Sequence, residues 1–453
     1  MSRTGLRDMT QGSVLRHLML FALPLLLGNL LQQLYNMVDS WVAGNFIGDT
    51  ALTAVGAGFS VMNLFISLFS GIGTGATVTV AQNFGAQQTE RVHTAINTVY
   101  RTILLAAVPV TVLAFLGTDW FLTVLNVDPV AVPDAQCYLR IISLGLISTI
   151  GYNINDGILR GLGNSRASLL FLAISACINA GMDLLLVAVF SMGVAGAALA
   201  TILAQTISWL LGVYYINKTY RQFPIRPWKG SFDGKLLRSV LGIGLPAGLQ
   251  VATISLGGMA VMAKVNTFGN SYSAGYTVGL KIDNLVFMPV QACSSAATAI
   301  VGQNVGAGRA DRVRQTAKCV VSVCVVWCAL GIAALYPIRS LLVGLFTKTP
   351  ETIACGTLFV GCVLPAYFLL SIIFSLNSVM RGAGESVVPM LVAIIGQIFV
   401  RIPAVYLLAD RLGPAYMFYG FAVGWFVGAV LAVSYFLSGH WKRRRLAGAE
   451  QNL

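Results

Sequence analysis

The feature that most constrains this chain is its division into about twelve apolar stretches, each close to the twenty residues an α-helix needs to cross the hydrocarbon core of a bilayer. Inside that layer every backbone N–H and C=O must be satisfied within the protein, so apolar runs of this length fold as spanning helices. The stretches fall at 14–42, 51–78, 94–117, 133–158, 166–188, 194–217, 236–264, 273–300, 315–338, 351–379, 387–409 and 415–438. With 57% of the residues hydrophobic and only 10% charged, the apolar length exceeds what a soluble core would use, and the chain reads as an all-α integral membrane protein. The first stretch, from Val14 to Trp41, is too long for a signal-peptide core and has no small-residue cleavage site before the next span, so it reads as a retained span.

The net charge of +13 is distributed by topology. Basic residues collect in alternate connections: Arg3, Arg7 and Arg16, then Arg91, Arg160 and Arg166, the group from Lys218 to Arg238, the group from Arg309 to Lys318, Arg381, and Lys442 to Arg445. The opposite connections carry Asp49, Asp119, Asp128 and Asp134. The positive-inside rule then puts both termini in the cytoplasm of a plasma (inner) membrane protein, and an even number of spans fits. No nucleic-acid partner is needed to explain the charge. The eight cysteines mostly sit within apolar runs and form no CxxC pair, so they read as small hydrophobic residues. His17, His93 and His440 fall near span ends, which counts against a zinc or catalytic centre at membrane depth; an enzyme is not expected. GIGTGATVT at 71–79 lacks the GK[ST] of a P-loop and reads as a close-packing helix face. With no ATPase domain, transport would be driven by an ion gradient, and no cofactor other than that ion, H+ or Na+, is expected.

The chain is written twice. VAQNFGAQQTERV at 80–92 returns as VGQNVGAGRADRV at 301–313, an offset of 301 − 80 = 221, and the same offset carries Arg160, Gly161 and Gly163 onto Arg381, Gly382 and Gly384. Pro24 nearly maps onto Pro246. An even number of spans per copy gives a parallel repeat, a pattern in which two bundles typically surround a cavity that opens to alternate sides. The expected division is a six-helix lobe at 1–217, a basic linker at 218–238 containing Pro224, Pro227 and Gly230, and a second lobe with a cytoplasmic tail at 239–453. The two repeated QN-x-GA segments read as turns carrying topological charge.

One feature is not copied. INAGMDLLLVAVF, residues 178–190, buries Asp183 in an apolar run with Asn179 one helical turn earlier, yet the offset places Val400 and Ala404 at the matching positions. Asp39 maps to Ala260 or Val261, Tyr138 to Phe359 and Thr201 to Ala422. Helical spacing makes stripes of Gln32, Asn36 and Asp39 on the first span, of Ser175, Asn179 and Asp183 on the fifth, and of Thr201, Gln205 and Ser208 on the sixth. Ionisable groups at membrane depth cost several kcal/mol unless paired or hydrated, and they usually mark ion or proton paths. Burial favours the neutral acid, and carboxylate, amide and hydroxyl oxygens also suit a small hard cation, so proton and sodium would compete for one site. The alternative is a hydrogen-bond network that holds spans together. Pro24, in the span of Asp39, removes an interior hydrogen bond and can bend that helix. Gln32, Asn36, Asn153, Asp156, Lys281, Asp283 and Arg401 are further candidates for cavity or substrate contact, with Lys264 a basic candidate beside them. Lys281 and Asp283 do not share a helix face. Tyr35, Phe65, Met259 and Phe287 could line a substrate pocket or simply pack between helices.

Taken together, the twelve spans in two halves, ALP24 with Asp39 fifteen residues on, QNFGA and QNVGA, LRGLGN, and N179xxxD183 followed by Thr201 resemble the multidrug and toxic compound extrusion (MATE) family over nearly the whole chain. The resemblance implies a secondary active multidrug exporter that exchanges H+ or Na+ for small organic, often cationic and amphipathic compounds by alternating access. It further implies the branch whose cation site lies in the N-terminal half, at Asp39, Tyr138, Asn179, Asp183 and Thr201. The chain is expected to work as a monomer in the lipid bilayer. A flippase for lipids or lipid-linked oligosaccharides from the same superfamily is the alternative function, which Lys264, Lys281 and Arg401 would suit.

Overall fold

The computed structural model describes residues 6–47, 49–124, 127 and 129–443. Arg3, Asp128, Arg444 and Arg445, used above in the charge argument, lie outside them. The described elements are all helical: α1 Val14–Val42, α2 Asp49–Gly85, α3 Thr89–Leu116, α4 Thr118–Val124, α5 Val132–Leu144, α6 Leu146–Gly161, α7 Ser165–Asp183, α8 Gly193–Thr219, α9 Gly234–Asn266, α10 Asn270–Gly306, α11 Ala310–Leu335, α12 Arg339–Gly344, α13 Pro350–Val363, α14 Tyr367–Gly382, α15 Val387–Ala393, α16 Ile402–Leu412, α17 Tyr419–Ser438 and α18 His440–Arg443. Among the described residues eleven helical segments are long and apolar enough to span a membrane, and α5 with α6, bent by 50°, supplies a twelfth. The bend falls at Gly145, where a Cβ would collide with the side chain of Ile202 on α8. The second copy breaks at the same place: Ala366, 221 residues on, ends the 3-10 turn Leu364–Ala366 between α13 and α14.

The repeat also holds atom by atom. Thr77 Oγ1 on α2 lies 3.0 Å from Gly73 O of its own helix and 2.9 Å from Gly157 O of α6, sharing its proton across the contact. Thr298 Oγ1 on α10 stands 3.1 Å from Ser294 O and 3.2 Å from Ser378 O of α14, each partner displaced by 221. In the glycine-rich stretch, a Cβ on Gly71 would lie 2.5 Å from Gly248 Cα, so the missing side chains let α2 and α9 touch backbone to backbone. The QN-x-GA segments are not loops, as the sequence suggested, but the last turns of α2 and α10. Nor is Arg312 a topological charge alone. It is buried, bonds Asn304 Oδ1 at 3.0 Å, and grips the backbone oxygens of Met9 at 3.2 Å and Gly12 at 2.9 Å.

Packing divides the chain into two compact units: Met1–Asp8 with Leu27–Gly248, and Met9–Leu26 with Leu249–Leu453. The expected boundary at 218–238 is displaced, because α1 starts in the second unit and α9 in the first, and each changes unit two residues past its proline, Pro24 or Pro246. The linker is a docked strap on α3. Asn97 Oδ1 accepts Arg226 N at 2.6 Å, Thr98 Oγ1 accepts Asp233 N at 3.0 Å, and Arg101 donates to Pro227 O at 2.6 Å and Gly230 O at 2.9 Å. Its own Tyr220 and Phe223 are buried.

Charge-assisted bonds of this kind contribute about 1.5–3 kcal/mol each. Arg101→Ala should lower the stability of the purified protein by about that much, read as a drop in melting temperature. Arg101→Lys should recover only part, since an ammonium cannot fork to both carbonyls.

Candidate functional site

Two carboxyl groups meet in the first unit. Asp39 stands in the last turn of α1, ahead of the π-helical Ala43–Ile47, and Asp183 closes α7, ahead of the π-helical Leu184–Val189. Each π-helical segment is wider than an α-helical turn and re-aims the side chains around it, a device common at functional sites. Asn179, fully buried on α7, sits between the acids. Its neighbours orient its amide: carboxylate oxygens face one end, so the nitrogen belongs there, donating to Asp183 Oδ2 at 3.0 Å and to Asp39 Oδ1 at 3.3 Å. The other end of the amide lies 3.4 Å from Thr201 Oγ1 on α8. The two carboxyls are also close enough to hydrogen-bond to each other.

Asp183 is fully buried, and its Oδ1 has no hydrogen-bond partner in the protein. Tyr138 on α5, 4% exposed, stands within electrostatic reach of both acids. Its ring fills the space in front of Gly58 on α2, where a Cβ would lie 2.6 Å from Cε1. The five predicted residues, Asp39, Tyr138, Asn179, Asp183 and Thr201, therefore form one cluster. Tyr35 joins it through a hydrogen bond to Thr201, a role the sequence reading did not assign to it. The signal was present in its spacing, one turn before Asp39 on the same helix face. Chemically the cluster is a set of oxygens around two acids that cannot both stay ionised at this separation without a cation between them.

The other polar candidates lie elsewhere. Gln32 is exposed and bonds the half-buried Asn36 at 3.4 Å. Asn153 donates to Thr149 O of its own helix at 2.8 Å. Asp156 pairs with Arg160 at 2.7 Å and accepts the Ser168 hydroxyl. Ser208 donates to Phe171 O at 2.7 Å, fastening α8 to α7.

The MatE family model matches the chain twice, over residues 24–185 and 246–407. The chain belongs to the MATE family. Both matches begin at a proline, Pro24 and Pro246, and so follow the internal repeat. This MATE chain is 30% identical over 440 residues to the probable multidrug resistance protein YpnP of Bacillus subtilis, covering 97% of its own length and 98% of the relative's. It is 22% identical over 432 residues to the multidrug resistance protein MdtK of Yersinia pestis, covering 92% and 94%. Among solved structures it superposes on a MATE in complex with MaL6 at a TM-score of 0.89, and on a MOP superfamily transporter from Pyrococcus furiosus at 0.88. Both are 21% identical and covered to 99% or more on either side, which establishes the MATE fold.

The second copy of the MATE repeat has small apolar residues in place of the acids, Ala260 or Val261 for Asp39 and Ala404 for Asp183, and keeps a ring without the hydroxyl. Gly279 and Phe359 stand where Gly58 and Tyr138 do, with the ring again filling the glycine's space. Phe359 packs edge-on against Tyr276, Phe418 and Phe421 at centroid distances of 5.0, 5.1 and 5.5 Å. Asp283 there is held by the Tyr367 hydroxyl and has Arg401 within electrostatic reach. Arg401, 5% exposed, bonds Gln397 at 2.6 Å and stacks 3.7 Å from the centre of the Phe421 ring. Lys281 is exposed and lies over Phe346 at 5.6 Å, while Lys264 pairs with Asp410 at 2.5 Å.

Overpacking a tight contact costs about 1–3 kcal/mol. Gly58→Val should destabilise the protein by that amount, and Tyr138→Ala in the same chain should recover most of it. A double variant no more stable than the sum of the single losses would show that the Tyr138 ring is not the obstacle.

Proposed function

We propose that this chain exports organic, mainly cationic and amphipathic compounds in exchange for H+ or Na+, with Asp39 and Asp183 as the coupling carboxyls. The observation that carries the reading is the acid pair bridged by Asn179, Asp183 fully buried and Asp39 half-buried, present in one copy of the repeat and replaced in the other. Relatives named as multidrug resistance proteins support the substrate class. The multi-pass protein would sit in the inner membrane with both termini in the cytoplasm and act as a monomer.

Each residue has a part in the cycle. A proton or sodium ion taken between Asp39 and Asp183 cancels their repulsion, with Asn179, Thr201, Tyr35 and Tyr138 supplying polar contacts around it. Release restores two facing negative charges, which part unless another cation replaces the first. The strain falls on α1, which carries Asp39 near one end and Pro24 near the other and belongs to both compact units. Proline leaves a backbone carbonyl without its helical partner, so this helix can bend at modest cost. Solved relatives described as straight and bent conformations are consistent with bending. The binding of substrate to one state and cation to the other then makes the exchange alternate. The flippase alternative is left with one of its three basic candidates, the exposed Lys281, because Lys264 pairs with Asp410 and Arg401 is engaged by Gln397 and Phe421.

The test is transport of a fluorescent organic cation in proteoliposomes, driven separately by a proton and a sodium gradient. Wild type should move the dye with at least one gradient, which names the ion, and Asp183→Asn and Asp39→Asn should fall to the rate of protein-free vesicles. Undiminished transport in Asp183→Asn would reduce the pair to a structural hydrogen-bond network. Pro24→Ala should slow gradient-driven transport while leaving dye binding intact; unchanged transport would remove the bend from the cycle.

A further inference from the structure

In the first unit, Arg160 near the end of α6 has its counter-charge one turn away: Nη2 stands 2.7 Å from Asp156 Oδ2. The repeat offset carries Arg160 onto Arg381 and Asp156 onto Asn377. The arginine is kept and its acid is lost. Among the described residues no carboxylate forms an ion pair with Arg381. Its guanidinium reaches only the side-chain oxygen of Gln250, at a long 3.5 Å, and its Nε is buried without a partner. Asn377 is 1% exposed, and neither its Oδ1 nor its Nδ2 has a hydrogen-bond partner in the protein.

Asn377 lines an internal cavity of the second unit together with Gln250, Gln397 and Trp425, with ≈ 20 Å³ of room for water-sized occupants. The polar groups around it are mostly donors. Trp425 Nε1, which can only donate, is buried and unpartnered. The side-chain oxygens of Gln250 and Gln397 are turned to Arg381 and Arg401, the latter at 2.6 Å, which leaves their NH2 groups to donate. Each guanidinium polarises the amide it holds, so positive potential is passed to the cavity wall. Arg401 has Asp283 in electrostatic reach, and the uncompensated charge rests on Arg381. Arg381 is half-buried and stands behind Gln250 rather than in the cavity wall, whose other lining residues are apolar or glycine. A charge without a counter-charge beside a space whose few polar groups can donate favours an anion over water.

We propose that this cavity binds one small monovalent anion of chloride size, which takes the charge role that the Asp156 carboxylate has in the other copy. The cavity has room for at least one occupant of water or small-ion size.

The experiment uses the purified full-length protein. Binding of radioactive chloride is measured by equilibrium dialysis, and melting temperature is compared in chloride and gluconate at equal ionic strength. Wild type should bind one saturable equivalent and melt higher in chloride. Asn377→Asp, which restores the acid, should weaken chloride binding by more than about tenfold, as one displaced charge-assisted contact implies, and melt alike in both salts. Trp425→Phe keeps the ring, loses one donor and should weaken binding about fivefold, so the proposal stays testable if the aspartate variant fails to fold. Absence of saturable chloride binding in wild type, or binding untouched by both substitutions, would overturn it.

Discussion

Between helices already immersed in an apolar layer, covering more apolar side chain gains little, so close backbone approach and the few hydrogen bonds it permits decide which helices stay together. The contact of α2 with α6 through Thr77, Gly73 and Gly157 is of this kind, and it recurs between α10 and α14 through Thr298, Ser294 and Ser378. Close approach at glycine also marks the bend after α5, at Gly145 against Ile202, and the seats of Tyr138 and Phe359 on Gly58 and Gly279. What differs between the copies is hung upon this scaffold.

That difference is chemical rather than architectural. A glycine backed by a six-membered ring occurs in both units, yet in the first the ring bears a hydroxyl beside two acids, and in the second it sits among other aromatic rings. A duplicated scaffold can carry acids in one copy and apolar side chains at the matching positions of the other. The price of a partly buried carboxyl pair is borne in one unit only. π-helical segments follow both Asp39 and Asp183, and a third, Ile394–Arg401, occurs in the unit without the acid pair.

Much of this was legible in the sequence because the bilayer imposes long-period signals. Apolar stretches reported the spans, and the 221-residue offset reported the repeat and, by its failures at Asn179 and Asp183, the candidate site. Side-chain polarity alone did not say which face of a helix each residue takes in the packed unit. Gln32 keeps helical step with Asp39 yet is exposed and bonded to Asn36, and Asp156 is absorbed by Arg160 and Ser168. The bend at Gly145 was hidden because a helix interrupted by one small residue has the same hydropathy as an unbroken one. Docking of the linker escaped notice because its bonds run from α3 side chains to backbone oxygens and nitrogens, which carry no residue-type signature.

The reciprocal membership of α1 and α9 bears on how the molecule is made. A six-helix product cut in the linker would lack the stretch of α9 on which its own unit closes, and its first turns of α1 would belong to a core not present in the fragment. Two such products could complete themselves only by trading these stretches, as swapped dimers do. During synthesis the opening turns of α1 therefore wait for residues more than two hundred positions later before their own core exists.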